Sequence, residues 1–342
     1  MRAMHDSAPD GATPLRSVPP PPGFSEPGKL RGPWRVIVNP ASGRGKADAA
    51  ERAIRRVARE EGLEIEVVRS RDGDDPLRWA ESAEREGFRA LVVAGGDGTA
   101  GAAARGLLAA GSGLPLGIVP LGTGNGLARV LRVPLDPGRA FRTLVAGRAV
   151  PLDVLDVTCL GDDGGAHETV ALLFVGAGLD ADLNRDADRS AKARFGFLAY
   201  VAAGLRNLVR LRAHRVRLTI DGESHGVAAH TVTIFNGGRL ELAGVAVGPD
   251  ADPHDGRADV AVLHATGFVE GLASVVRMAT REGSRRYFAP ASRVHVDARP
   301  PLTVHVDGEV VGTTPLTVRV RPAALQVLAA ARYAPGEDRV DR

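Results

Sequence analysis

The stretch from Ala90 to Leu108, ALVVAGGDGTAGAAARGLL, decides the fold. ALVVAG (90–95) is a short continuous apolar run without alternation, the pattern of a strand buried on both faces. Two more glycines and Asp97 follow, and then TAGAAARGLLAAG (99–111) reads as a small-residue helix. Working outward, LGIVP (116–120) is a second buried strand, followed by helical segments near 123–132 and 137–146. On the amino-terminal side lie a strand RVIV (35–38), a helix over 46–62, a strand EIEVVRS (64–70) and a helix over 75–87. The first helix carries Ala50, Ala53, Ile54, Val57 and Ala58 at helical spacing. Strands alternating with helices predict a parallel sheet covered on both faces, a three-layer α/β domain. Ligands on such sheets sit beyond the carboxyl ends of the strands.

After Val150 the pattern turns to strands: 152–160, 167–178, 215–221, 230–238, 258–265, 293–298, 302–308 and 316–321. Period-2 alternation over 215–220 and 316–320 predicts an antiparallel β-sandwich with one solvated face. Helices are expected over 193–212 and 267–280. The division is therefore a proline-rich tail (1–33), an α/β domain (34–150), a β-rich domain (151–334) whose last strands can return to the first, and a short tail (335–342). A cleft separates the two domains.

The chain has 342 residues, 44% of them hydrophobic and 25% charged, enough for two packed domains. No apolar run reaches a membrane-spanning length of about 18–20 residues. The single cysteine, Cys159, and a start without an apolar leader segment point to a reducing, cytoplasmic setting. Net charge is +3, and Lys29, Lys46 and Lys192 are the only lysines, so arginine dominates the cations. That bias reads either as a solvated surface or as attraction to anionic phosphates and lipid head groups. With 4% aromatic residues, a base-stacking platform and hence a nucleic-acid partner are not expected. Nine histidines without paired spacing give no zinc signature.

Gly95-Gly96-Asp97-Gly98-Thr99 joins a strand to a helix. Glycines let backbone approach a phosphate, and the helix start offers free N–H groups. An acidic residue among phosphate donors suits a hydrated magnesium ion, though a tight turn with Asp97 as helix cap uses the same residues. Asn39-Pro40-Ala41-Ser42-Gly43-Arg44-Gly45 and Pro120-Leu121-Gly122-Thr123-Gly124-Asn125-Gly126 occupy equivalent strand–helix turns. None matches the P-loop or the dinucleotide fingerprint. Asp307-Gly308-Glu309 reads by itself as a hairpin turn. Two residues apart at a strand end, its carboxylates are expected on one face, their repulsion raising one pKa and making a better base.

The trio NPASG, GGDGT and PLGTGN, in this order, resembles the diacylglycerol kinase catalytic-domain family of bacterial lipid, sphingosine and ceramide kinases. The resemblance continues through FVGAGLDA (174–181), the segment 192–204, Asn236-Gly237-Gly238, 249–259 and Asp307-Gly308-Glu309, covering about 34–334. It implies an ATP- and Mg²⁺-dependent transfer of the γ-phosphoryl group to a lipid hydroxyl, with diacylglycerol or a long-chain base as acceptor. ATP contacts would come from Asn39, Ser42, Ser70, Gly95, Gly96, Asp97, Gly98, Thr99, Thr123 and Asn125. Asp97 would organise the catalytic magnesium, while Asp307 and Glu309 would face it across the cleft, one of them as general base. Asp252, Asp255 and the carbonyl of Arg257 would hold a second, structural magnesium. The acceptor would be met at a membrane surface, by peripheral association of a cytoplasmic protein through arginines such as Arg206, Arg210 and Arg212. The oligomeric state stays open, a homodimer included. Two departures stand out: Ala100-Gly101-Ala102 after Thr99, and Gly126 where the family has an aspartate, for which Asp153 and Asp156 are candidate replacements. An NAD-kinase-like small-molecule kinase and a non-catalytic nucleotide or lipid sensor are the alternative readings.

Overall fold

The computed structural model of the chain describes residues 30–43, 45–178, 213–237, 240–242, 245–247, 251–263 and 290–333. The helices expected over 193–212 and 267–280, Lys192, the three arginines named above and nearly all of the tail lie outside the described residues.

The first domain runs β1 (Trp34–Val38), α1 (Ala47–Glu60), β2 (Ile65–Arg69), α2 (Asp75–Ala83), β3 (Ala90–Gly95), α3 (Asp97–Ala109), β4 (Leu116–Pro120), α4 (Gly126–Val130) and α5 (Pro137–Val145). Its strands pair in parallel in the order β2-β1-β3-β4. β1, β3 and β4 are buried throughout, as their unbroken apolar runs require. α1 packs beside α5 on one face and α2 beside α3 on the other, giving three layers. The α2–α3 contact depends on small side chains: a Cβ at Gly106 would overlap the carbonyl oxygen of Leu77. α4 is shorter than its expected 123–132 because residues 122–125 stay in an irregular turn, with Asn125 left-handed at φ 51°.

The second domain comprises β5 (Arg148–Leu160), β6 (Ala166–Ala171), β7 (Phe174–Gly178), β8 (His214–Ile220), β9 (Glu223–Ala229), β10 (Thr231–Phe235), β11 (Leu240–Leu242), β12 (Val245–Val247), β13 (Asp259–Leu263), β14 (Arg293–Arg299), β15 (Thr303–Val306) and β16 (Glu309–Ala329). β13-β10-β7-β15-β16 form one sheet and β9-β8-β14-β16-β5-β6 the other, with β16 common to both. β11 and β12 pair as a separate hairpin. Branched aliphatic residues of both sheets, among them Val157, Val175, Leu218, Ile234, Val296, Val304 and Leu316, make one core between them. The fold is thus an α/β domain with a parallel sheet joined to an antiparallel β-sandwich.

Several strands depart from the assignments made on pattern alone, among them the unexpected β11–β12 hairpin. The run 167–178 is two strands, broken at Leu172-Leu173. β9 was missed because Glu223–Ala229 carries only one of the β-branched or aromatic residues that mark strands, Val227, and includes a glycine. The segment 316–321 is the middle of a 21-residue strand. Its Pro315 and Pro322 read as strand ends, yet they fall where the register against β5 shifts, positions where a proline removes no ladder bond. Past the second shift β16 enters the first domain, where Val327 pairs in parallel with Leu116 of β4. β5 likewise runs from Arg148 past Val150 without interruption.

Replacing Gly106 by valine should force α2 and α3 apart and destabilise the fold by about 1–3 kcal/mol or more. Denaturant unfolding measures it; a midpoint equal to that of the parent would show that the helices tolerate the extra bulk.

Candidate active site

The strand registers bring the three glycine-rich turns to one edge. Val38 lies beside Arg69 and Ala94, and Gly95 beside Pro120. Each ladder then continues one step: Ser70 donates its backbone N–H to Val38 O, Asn39 to Ala94 O and Leu121 to Gly95 O, at 2.9, 2.9 and 2.8 Å. The turns are tied together above the ladder. Asn39 Nδ2 donates to Thr99 Oγ1 at 2.8 Å, and Asn39 Oδ1 accepts from the Ala41 amide at 2.9 Å. Strand order places the switch point between β1 and β3, under this Asn39–Thr99 bond. Glycine is needed where the turns touch. A Cβ at Gly122 would come 2.9 Å from Gly96 Cα. At Gly43 it would meet Leu121 O at 2.8 Å with φ at +75°. Gly98 and Thr123 are exposed at the rim, Ser42 is half-buried, and Ser70 and Asn125 are buried.

Asp97 does not cap its own helix, whose N-cap is Gly96. Its carboxylate accepts the Gly126 and Leu127 amides at 3.0 and 3.1 Å, so it fixes the start of α4. The departure at Gly126 therefore places a backbone donor on Asp97. Asp153 and Asp156 do not replace the family's aspartate there. Asp153 gives its two oxygens to the Gly256 and Ala323 amides at 2.6 and 2.7 Å. Burial raises its pKa against those bonds. Asp156 pairs with Arg321.

Across the cleft, β15 and β16 form a hairpin closed by Val306 opposite Glu309. Its two turn residues, Asp307 and Gly308, have φ 48° and 93°, the positive angles that the Asp-Gly pair provides. Asp307 lies in the turn and Glu309 follows it on the strand, so the two separate, contrary to the expectation that they share a face. Glu309 is exposed and reaches the rim, where a Cβ at Gly98 would lie 2.5 Å from its Oε1. Asp307 turns inward and accepts the Leu172, Leu173 and Phe174 amides at 2.8, 2.9 and 3.0 Å. These bonds fall at the break between β6 and β7 and account for it. The same residues turn their carbonyls elsewhere. Leu172 O accepts from Asn236 Nδ2 at 2.8 Å, Leu173 O from the Asn236 and Gly237 amides, and Phe174 O from the Asp307 amide. Burial lifts the Asp307 pKa to about 6, against its three amide bonds and with a smaller push from the Asp97 charge. Repulsion from Glu309 is not among the causes.

Asn236 is the residue that sequence reasoning left without a role. It is fully buried, and its Nδ2 also donates to Asp153 O at 2.7 Å. An asparagine directly after a strand, before two glycines, was the available signal. In the loop 252–257, Asp252 and Asp255 each accept an amide two residues on, from His254 at 3.2 Å and Arg257 at 2.9 Å. Among the described residues no three carboxylate, imidazole or thiolate side chains are grouped to bind a metal directly.

Residues 33–157 match the model of the diacylglycerol kinase catalytic domain, and residues 173–329 match that of the YegS C-terminal NAD kinase beta sandwich-like domain. A diacylglycerol kinase of Mycobacterium tuberculosis is 31% identical over 88% of this chain and 97% of its own length. This chain belongs to the diacylglycerol kinase catalytic-domain family. Another relative, the diacylglycerol kinase of Bacillus subtilis, is 28% identical over 82% of this chain and 91% of its own. A crystal structure of a diacylglycerol kinase from Bacillus anthracis superposes with a TM-score of 0.71 at 22% identity, over 88% of this kinase and 97% of that chain, and shares its fold. No helix among the described residues is long and apolar enough to cross a membrane.

The raised Asp307 pKa has a defined sign for this kinase. Folding favours the protonated carboxyl, so its contribution is fully present below the unfolded pKa near 4 and is lost as pH rises through about 6. The melting temperature of the parent minus that of Asp307→Asn should fall between pH 4 and pH 6.5. A difference constant with pH would show that Asp307 keeps an ordinary pKa.

Proposed function

We propose that the chain is an ATP- and magnesium-dependent kinase that phosphorylates a lipid hydroxyl, with Glu309 as general base and Asp307 as the residue that positions it. The observation that carries this reading is the contact of Glu309 with Gly98, which sets a carboxylate directly at the phosphate rim. ATP would lie on the rim at the β1–β3 switch point, its phosphates against the Gly95–Thr99 turn and the start of α3, with Asn39, Ser42, Ser70, Thr123 and Asn125 around it.

Magnesium fits here through water. Asp97 spends two acceptor positions on amides, leaving about two of a carboxylate's four lone-pair sites. Among the described residues no arginine or lysine ion-pairs with Asp97, Asp307 or Glu309. When bound with the nucleotide, the cation would supply charge neutralisation at the transferring phosphoryl group. Glu309 takes the proton of the acceptor hydroxyl as that oxygen bonds to the γ-phosphorus and the bond to the ADP oxygen breaks. Asp307 is poorly placed for that task, since three amides occupy its oxygens. The acceptor would be met at a membrane surface, with diacylglycerol or a long-chain base as its class. The loop of Asp252, Asp255 and the Arg257 carbonyl would hold a structural magnesium, since hard cations take oxygen ligands from short acidic turns.

Labelled ATP incubated with a total lipid extract should give one labelled lipid band, whose identity names the acceptor. Glu309→Gln should lower kcat by roughly 10²–10⁴-fold with the KM for ATP little changed. Labelling of a soluble small molecule instead, or parallel loss of ATP binding in the variant, would overturn the reading. For the second cation, chelation should lower the melting temperature of the parent but not that of Asp255→Asn. An equal effect on both would place the metal elsewhere.

A further inference from the structure

Away from the rim, a groove of about 720 Å³ lies between α3 and the solvated face of the sheet formed by β14, β16, β5 and β6. Arg105 on α3 and Arg293, Arg319 and Arg321 on the strands line it, against two carboxylates, Asp156 and Glu168. The strand register sets Arg293 directly opposite Arg319, a like-charged cross-strand pair that costs stability unless something neutralises it. Asp156, opposite Arg319 on the other side, is taken by Arg321 at 2.7 Å. The guanidinium groups of Arg105, Arg293 and Arg319 thus have no ion-pair or hydrogen-bond partner among the described residues. Four arginines of the first domain contrast with this. Arg35, Arg69, Arg78 and Arg142 each hold two acidic residues.

We propose that this groove is a second binding site, for a phosphate-bearing anion, separate from the nucleotide rim. The guanidinium fork matches two phosphate oxygens at once and stays charged at every relevant pH. Two forks come from a rigid sheet and one from a helix wall, so the site is concave and bounded. Arg105 lies eight residues along α3 from Asp97, about 12 Å at the helical rise, so a rim-bound nucleotide and a groove-bound anion occupy different places. The phosphate can belong to a soluble phosphorylated metabolite or to the head group of an anionic phospholipid.

Arginine modification by phenylglyoxal, mapped by mass spectrometry on the full chain, tests this. Inorganic pyrophosphate or vesicles of phosphatidylglycerol in phosphatidylcholine serve as protectant. Protection of Arg105, Arg293 and Arg319 by pyrophosphate supports the site and assigns it to soluble phosphates. Protection by the vesicles alone supports it and assigns it to head groups. In either case the double variant Arg293→Ala, Arg319→Ala should bind the protecting probe about tenfold or more weakly. It should melt no lower than the parent, because a repulsive pair has been removed. Modification unaffected by either probe, or equal affinity in the double variant, would overturn the proposal.

Discussion

Three amide hydrogens converge on one carboxylate, and the arrangement of the cleft follows from that convergence. Asp307 accepts from Leu172, Leu173 and Phe174, while Asn236 and Gly237 satisfy the carbonyls of Leu172 and Leu173 from the other side. A buried stretch of backbone between two strands must find partners for every polar group. Here it finds them in two side chains and one turn from distant parts of the chain. The carboxylate is held at the cost of desolvation, which its raised pKa records. In return the hairpin tip is fixed in the one orientation that leaves Glu309 pointing at the rim.

The rim has its own constraint, which is glycine. Gly122 passes the Gly96 backbone with no room for a side chain of its own, and Gly98 lies under the Glu309 carboxylate. The two constraints are joined by β16. It begins at Glu309, bends where Pro315 and Pro322 interrupt its ladder with β5, and ends beside β4 in the first domain. One strand therefore connects the proposed base to the sheet that carries the proposed nucleotide site, so the two halves of the cleft share a rigid element.

Much of this was legible in the residues. The parallel half of the fold followed from unbroken apolar runs at ALVVAG and LGIVP, and the rim followed from glycines placed after three strands. The acidic hairpin was also legible, because Asp-Gly has few alternatives to a two-residue turn. What the pattern could not give was the direction of each carboxylate. Residue spacing predicts a common face only while the backbone stays extended, and at Asp307 it does not. The roles of Asn236 and of Asp97 toward α4 were hidden for the same reason: both depend on contacts across about 30 residues or more of chain. The length of β16 was hidden because proline reads as an end when it can also mark a bulge.

The claim that Asp307 holds the β6–β7 junction, and through it the orientation of Glu309, is tested most directly by amide hydrogen exchange at Leu172, Leu173 and Phe174. In the parent these amides should be strongly protected. In Asp307→Ala they should exchange far faster while the amides of β3 and α3 keep their protection. Unchanged protection at the three amides in the variant would contradict the account.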